Sequence, residues 1–268
     1  MNASEGAAGE TPFVLRRDDG GVVTLTLNRG ERFNPLSTAM IAALERELDA
    51  LGPDRTARIV VLAGAGRGFC AGHDLKEMRA HSADKSWQQK LFADASRMMV
   101  KMTEIPQPII ARVHGIATAA GCQLVSMCDL AVASDEARFA LPGVNVGIFC
   151  STPAVGVARN IGRKRALEML LTGELFDAPT ALGWGLVNRV VPAASLDAEV
   201  ARLASIILAR SGKVVATGKR AFYRQIDQPL EGAYATTSES MALSMLEPDA
   251  AEGIDAFIEK RPPRWPER

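Results

Sequence analysis

Apolar and polar residues alternate through PFVLRRDDGGVVTLTLN, residues 12–28, on both sides of an Asp-Gly-Gly triplet. Period-two alternation marks half-buried strands, and Asp-Gly tolerates the positive φ of a tight turn, so the pattern predicts a β-hairpin. The period then changes. In STAMIAALERELDAL, residues 37–51, Met40, Leu44, Leu48 and Leu51 recur at helical spacing behind a Ser/Thr start, which predicts a capped amphipathic helix. ARIVVLAG, 57–64, follows as a continuous apolar run of strand length.

The same alternation repeats with a helical stretch over KSWQQKLFADASRMMVKMTEI, the strand PIIARV, a small-residue turn into a short helix at GIATAAGCQL, and the strand DLAVAS. Repeated strand and helix predict one α/β domain. Beyond the strand VNRVV, 187–191, the period is helical to the end. The expected organisation is therefore a tail over 1–10, an α/β core over 11–194 and a helical C-terminal region over 195–268.

Composition narrows the function classes. Thirty-one basic residues balance thirty-one acidic ones, so no single-sign field draws nucleic acid or an anionic membrane, and no apolar run reaches the length of a spanning helix. The four cysteines, Cys70, Cys122, Cys128 and Cys150, lack C-x-x-C spacing, and MNASEGAAGE has neither a basic nor an apolar targeting region. These features predict reduced thiols and a cytoplasmic protein. Metal-ligand spacings and a G-x-S-x-G elbow are absent, and GAGRGF lacks the spacing and the downstream acid of a dinucleotide fingerprint.

Two glycine-rich loops remain, GRGFCAGHDLKEM (66–78) and GIATAAGCQL (115–124), each leading from a strand to a helix N-terminus. Both place free backbone N–H groups at the mouth of the sheet. Two such donors converging on one point would form an oxyanion hole for a thioester or ester oxygen.

With LNRGERFNPLS, ARFALPGVNVGI, KRALEMLLTGE, ALGWGLVNRVV and FIEKRPPRW in order along the chain, the sequence resembles the crotonase, or enoyl-CoA hydratase/isomerase, superfamily. The resemblance implies an α/β crotonase-like spiral of ββα units with a helical trimerisation appendage, a homotrimer or dimer of trimers, and an acyl-CoA thioester substrate. It implies no cofactor or metal beyond the coenzyme A of that substrate. Carried over by position, the oxyanion donors are the backbone N–H groups of His73 and Ala120, beside Ala71 and Ala119. The stretch Asp74, Leu75 and Lys76 resembles the lining of the thioester and adenine arm, Arg29 and Phe33 resemble residues flanking the nucleotide, and Pro142 precedes the second catalytic position.

That position departs from the family's pattern. Hydratases of the family place two glutamates on one water, but here Gln123 and Gly143 stand in their places, as in the enoyl-CoA hydratase domain-containing subgroup that lacks both. Neither residue relays a proton at neutral pH. Weak hydration is therefore expected, with Gln123→Glu and Gly143→Glu together expected to raise it. The alternatives are decarboxylation or other enolate chemistry on a malonyl-type thioester, and a non-catalytic acyl-CoA binding protein.

Replacement acids are scarce. Asp129 reads as a strand-end structural acid, Asp135 and Glu136 lie at the far end of the same strand, and Asp74 reads as a helix cap. The His73 side chain reads either as a proton carrier or as a cover over the ligand's tail. Cys150, Ser151 and Thr152 read as wall residues, and His81 and His114 as ordinary turn and surface residues.

Overall fold

The computed structural model describes residues 11–265, so the tail expected over 1–10 lies outside the described residues. In chain order the strands are β1 (Val14–Asp19), β2 (Val22–Leu27), β3 (Ile59–Gly64), β4 (Ile109–Val113), β5 (Ile116–Thr118), β6 (Leu130–Ser134), β7 (Arg138–Ala140), β8 (Phe176–Asp177) and β9 (Arg189–Val191). The helices are α1 (Thr38–Leu51), α2 (Leu75–Ala80), α3 (Lys85–Glu104), α4 (Ala120–Met127), α5 (Ser151–Asn160), α6 (Arg163–Thr172), α7 (Ala178–Trp184), α8 (Leu196–Leu208), α9 (Gly212–Gln225), α10 (Leu230–Met245) and α11 (Pro248–Ile258).

A six-stranded sheet runs β1-β2-β3-β4-β6-β9, parallel except for the β1-β2 hairpin, whose turn residues Gly20 and Gly21 have φ of 54° and 87°. A second sheet holds β5, β7 and β8. Successive segments such as β4-β5-α4 place one strand in each sheet and then a helix, which is the ββα spiral. An isolated parallel bridge between Cys70 and Ala117 continues the small sheet by one further layer. These short strands were not legible as strands in the sequence. Two or three residues carry no period, and pairing across the spiral defines them.

The large sheet is buried on both faces. One face packs Leu25, Leu27, Val60 and Leu62 against Met40, Leu44, Leu48 and Leu51 of α1 and Met98 and Met102 of α3. The other packs Ile59, Val61, Ile110 and Val132 against Leu196, Val200 and Ala204 of α8. Burial on both faces explains why β3 reads as an unbroken apolar run. Ser37 caps α1 by accepting from the Met40 N–H at 3.2 Å.

Helices occupy the chain from 196 to 258, and they divide into two kinds. Whereas α8 covers the sheet, α9 and α10 contain no buried residue in the protomer. A part-buried ion pair joins α9 to the core. Lys219 donates to Asp129 at 2.7 Å and to the Met102 and Gln107 carbonyls, while Tyr223 donates to the other Asp129 oxygen and Asp129 also accepts from the Ile109 N–H. Asp129 is thus structural, as its strand-end position predicted.

Candidate active site

The two glycine-rich loops meet. Cys70 O accepts from the Thr118 N–H at 2.9 Å, the Thr118 hydroxyl donates to Ala71 O at 3.1 Å, and Ala119 N–H donates onward to Ala140 O at 2.9 Å. Glycine makes this approach possible at two points. A Cβ on Gly72, where φ is 96°, would lie 2.8 Å from the Ala119 Cβ, and one on Gly121 would overlap the Cys70 carbonyl.

His73 pairs with Leu36 as an isolated parallel bridge, in which Leu36 N–H donates to Gly72 O and Asp74 N–H donates to Leu36 O. Its neighbours make those bonds, so the His73 N–H itself points to the opposite side, where it meets no protein acceptor among the described residues. Ala120 is the first residue of α4, and its N–H likewise has no protein acceptor among the described residues; the first intrahelical bond runs from Gln123 N–H to Ala119 O. Ala119 holds φ 49° and ψ −119°, a conformation costing a non-glycine residue about 1–3 kcal/mol. The strained residue is therefore Ala119, and the donor at 120 keeps an ordinary backbone.

His73 and Ala120 both line a cavity of about 430 Å³. Its walls come from Ala71, His73, Leu75, Ala119 and Ala120 of the two loops, from Met78 and Phe92, and from residues 142–153, including Pro142, Gly143 and Cys150. No Asp or Glu lines it among the described residues, and the ionisable side chains that do are His73 and Cys150. A larger cleft of about 690 Å³ lies on the opposite face of the sheet, between β2, β3 and α8, away from both donors.

His73 donates from Nδ1 to the Leu36 carbonyl at 3.2 Å, which leaves the lone pair on Nε2; that atom is buried without a partner. Burial holds the imidazole below its ordinary pKa, against the Leu36 hydrogen bond and the Glu77 charge, so the ring is neutral at pH 7. Phe92 packs against it edge-on at 5.4 Å between centroids.

Arg29, Phe33, Asp74 and Lys76, which the resemblance places along the thioester and nucleotide arm, lie outside the lining of this cavity, as do His81 and His114. The Arg29 guanidinium donates to the carbonyls of Thr11, Pro12 and Asn28 and stacks on Phe13 at 3.7 Å. Phe33 lies under Arg67 in a left-handed turn with φ 60°. Asp74 caps α2 through the Lys76 and Glu77 N–H groups and pairs with Arg32 at 2.9 Å, while Lys76 is exposed. His114 donates from Nε2 to Gly66 O at 2.9 Å on the far face of the sheet, and His81 stacks on Trp87 at 4.2 Å.

The two positions of the missing glutamates differ. Gln123 lies one turn beyond Ala120 on the same side of α4, 6% exposed, and its amide has no protein partner among the described residues. Gly143 has no room for any side chain. A Cβ there would overlap the Ile148 carbonyl and lie 2.8 Å from the Cys150 sulfur, in a turn closed by the Ile148 N–H donating to Gly143 O at 2.9 Å. The expected repair by Gly143→Glu is therefore corrected, because packing leaves no room for the side chain and residues 143–150 would have to move.

Sequence reasoning missed Met78 and Phe92, which the fold of α2 and α3 carries into the cavity. Their only signal was an apolar position on a helix, which core packing accounts for equally well.

Residues 17–268 match the enoyl-CoA hydratase/isomerase family. The chain is 43% identical over 254 residues to the human enoyl-CoA hydratase domain-containing protein 3, mitochondrial, covering 95% of this chain and 83% of that protein. The Xenopus laevis protein of the same name is 44% identical over 95% of this chain and 86% of its own length. Among solved structures, an enoyl-CoA hydratase of Mycobacterium smegmatis superposes with a TM-score of 0.93 at 55% identity, covering 95% of this chain and 99% of that one.

The mitochondrial relatives overturn the cytoplasmic expectation. The four cysteines are free and buried, which does not single out one compartment. Among the described residues, no helix is long and apolar enough to cross a membrane. With this match spanning the spiral and both loops, the chain belongs to the enoyl-CoA hydratase/isomerase family.

Proposed function

We propose that the protein binds acyl-CoA thioesters with the carbonyl oxygen between the His73 and Ala120 N–H groups, stabilises their enolates there, and hydrates enoyl thioesters poorly. One observation supports this reading: His73 and Ala120, whose backbone N–H groups have no protein acceptor among the described residues, line one apolar cavity whose lining includes no carboxylate among those residues. Preorganised N–H donors in such surroundings stabilise charge developing on the thioester oxygen, and the N-terminus of α4 adds to the favourable potential. Activating a water needs a base, which neither Gln123 nor Gly143 supplies.

A structure with a non-hydrolysable acyl-CoA analogue tests the assignment; the oxygen is expected about 2.7–3.1 Å from both nitrogens. Hydration of crotonyl-CoA is expected well below an ordinary turnover of about 10 s⁻¹. An oxygen placed elsewhere sinks the site, and ordinary hydration sinks the chemistry. Binding without turnover of any thioester would leave a binding protein.

Decarboxylation of a malonyl-type thioester is the second reading. Departing CO₂ leaves its electron pair on the α-carbon, so no base is required, and the apolar walls disfavour the carboxylate of the ground state. Release of CO₂ from methylmalonyl-CoA measures it.

The assembly expected from the family, a trimer or dimer of trimers, is supported by the apolar side chains that the C-terminal helices leave uncovered, among them Leu230 at 73% and Phe257 at 83% exposure. Sedimentation of the full chain is expected to give a multiple of the protomer mass. The cut that tests it falls after Ser211, since removing α8 would strip one face of the sheet.

A further inference from the structure

Cys150 precedes α5 as its N-cap residue, 7% exposed, and its side chain faces the cavity shared by His73 and Ala120. Its sulfur lies 2.8 Å from where the first side-chain carbon of residue 143 would stand. The thiol thus occupies the start of the path that the family's second glutamate would take. The Gly143 N–H faces the sulfur, which fixes its position on that wall.

Among the described residues, the other ionisable side chain lining the cavity is His73. Its proton is on Nδ1, donated to the Leu36 carbonyl, and its Nε2 is covered. From this geometry we infer that Cys150 is a catalytic residue of the site, its sulfur carrying the proton to and from the α-carbon of the bound thioester. This inference rests on the enolate reading given above.

In exchange, the thiolate takes the α-hydrogen as a proton, the C–H electron pair passes into the enolate, and the oxygen charge falls on the two N–H groups. The S–H proton then exchanges with solvent and returns to carbon. In decarboxylation the pair comes instead from the C–CO₂ bond; the S–H proton goes to carbon, and the thiolate recovers a proton from water. Burial holds the thiol above its ordinary pKa, which keeps it a proton donor at neutral pH. The titratable group facing it from α4 is Cys122, pushed up to about 12 by burial and by Cys150 itself, so it too remains a thiol.

Incorporation of deuterium at the α-carbon of butyryl-CoA in D₂O, followed by mass spectrometry, tests the inference on the full chain, with butyryl-CoA affinity measured in parallel. The natural protein is expected to catalyse exchange at a rate that rises about tenfold per pH unit from 7 to 9, with the thiolate fraction. Cys150→Ser preserves size and a hydrogen bond to Gly143 but does not ionise. It should still bind butyryl-CoA, lose about 100-fold or more of the exchange rate and lose the pH slope; Cys150→Ala should do the same. Exchange that persists in both variants with the slope intact overturns the role of Cys150 and leaves the enolate reading standing. No exchange by the natural protein overturns both.

Discussion

One side of the acyl cavity is built from backbone and the other from side chains. At 70–73 and 118–121, glycines bring two segments into contact, and the proposed chemistry would reside in N–H groups, which survive changes of side chain. At 142–150 the wall is a turn packed so closely that residue 143 has no room for a Cβ, and a thiol stands beside it. On the proposed reading, a charge-stabilising device can be kept while the proton chemistry changes. The first depends on fold geometry, whereas the second depends on one or two side chains.

The comparison is broken most severely at Gly121. Gly121→Ala drives a methyl into the Cys70 carbonyl, and we expect a loss of about 3 kcal/mol, read as a lower denaturation midpoint. Next is Gly72→Ala, which meets the Ala119 Cβ and must hold φ of 96°. A displaced donor should cost about 100-fold in α-hydrogen exchange, with a smaller change in the midpoint. An unchanged exchange rate would remove the His73 N–H from the site.

A smaller effect separates the two missing carboxylates. Gln123→Glu, on a helix where the amide has no protein partner among the described residues, should fold normally and change crotonyl-CoA hydration by about tenfold at most, since one carboxylate cannot both hold and activate the water. Gly143→Glu should lower stability without improving hydration. Ordinary folding with raised hydration in the second variant would show that the 143–150 turn yields.

The smallest effect is on pH dependence. Burial holds His73 below its ordinary pKa, so the unfolded chain takes up the proton first as pH falls. Stability is then full above the unfolded value of about 6.5 and declines from there down to the folded one. His73→Gln should flatten part of this slope in denaturation midpoints between pH 7 and 5. His114, lowered chiefly by burial, keeps the rest.

The sequence made the backbone side of the site legible because a run of small residues between a strand and a helix marks a close approach of backbone. The Asp74 cap and the two loops that carry His73 and Ala120 could therefore be read from spacing and family resemblance. The side-chain wall was less legible. Gly143 was visible as a missing acid, but the Ile148 carbonyl that fills its place is a tertiary fact. Phe92 reaches the cavity only through the packing of α3, and the bonds that draw Arg29 toward Thr11 and Pro12 leave no pattern in sequence. The long helices and buried strands followed from period; β5, β7 and β8 are too short to have one.

The bonds that join Cys70 to Thr118 and Ala119 to Ala140 have a consequence for how activity is gained during folding. Three successive layers of the spiral each contribute one part of the cavity, at His73, Ala120 and Gly143, so no single layer contains a working fragment of it. Closing the long loops between layers is slow relative to forming the local helices and the first hairpin. In a refolding experiment, helical signal should return early, and thioester binding only when the third layer docks. A chain interrupted before residue 140 would carry both N–H loops yet leave the Ala119 amide without its acceptor, and the cavity without its far wall.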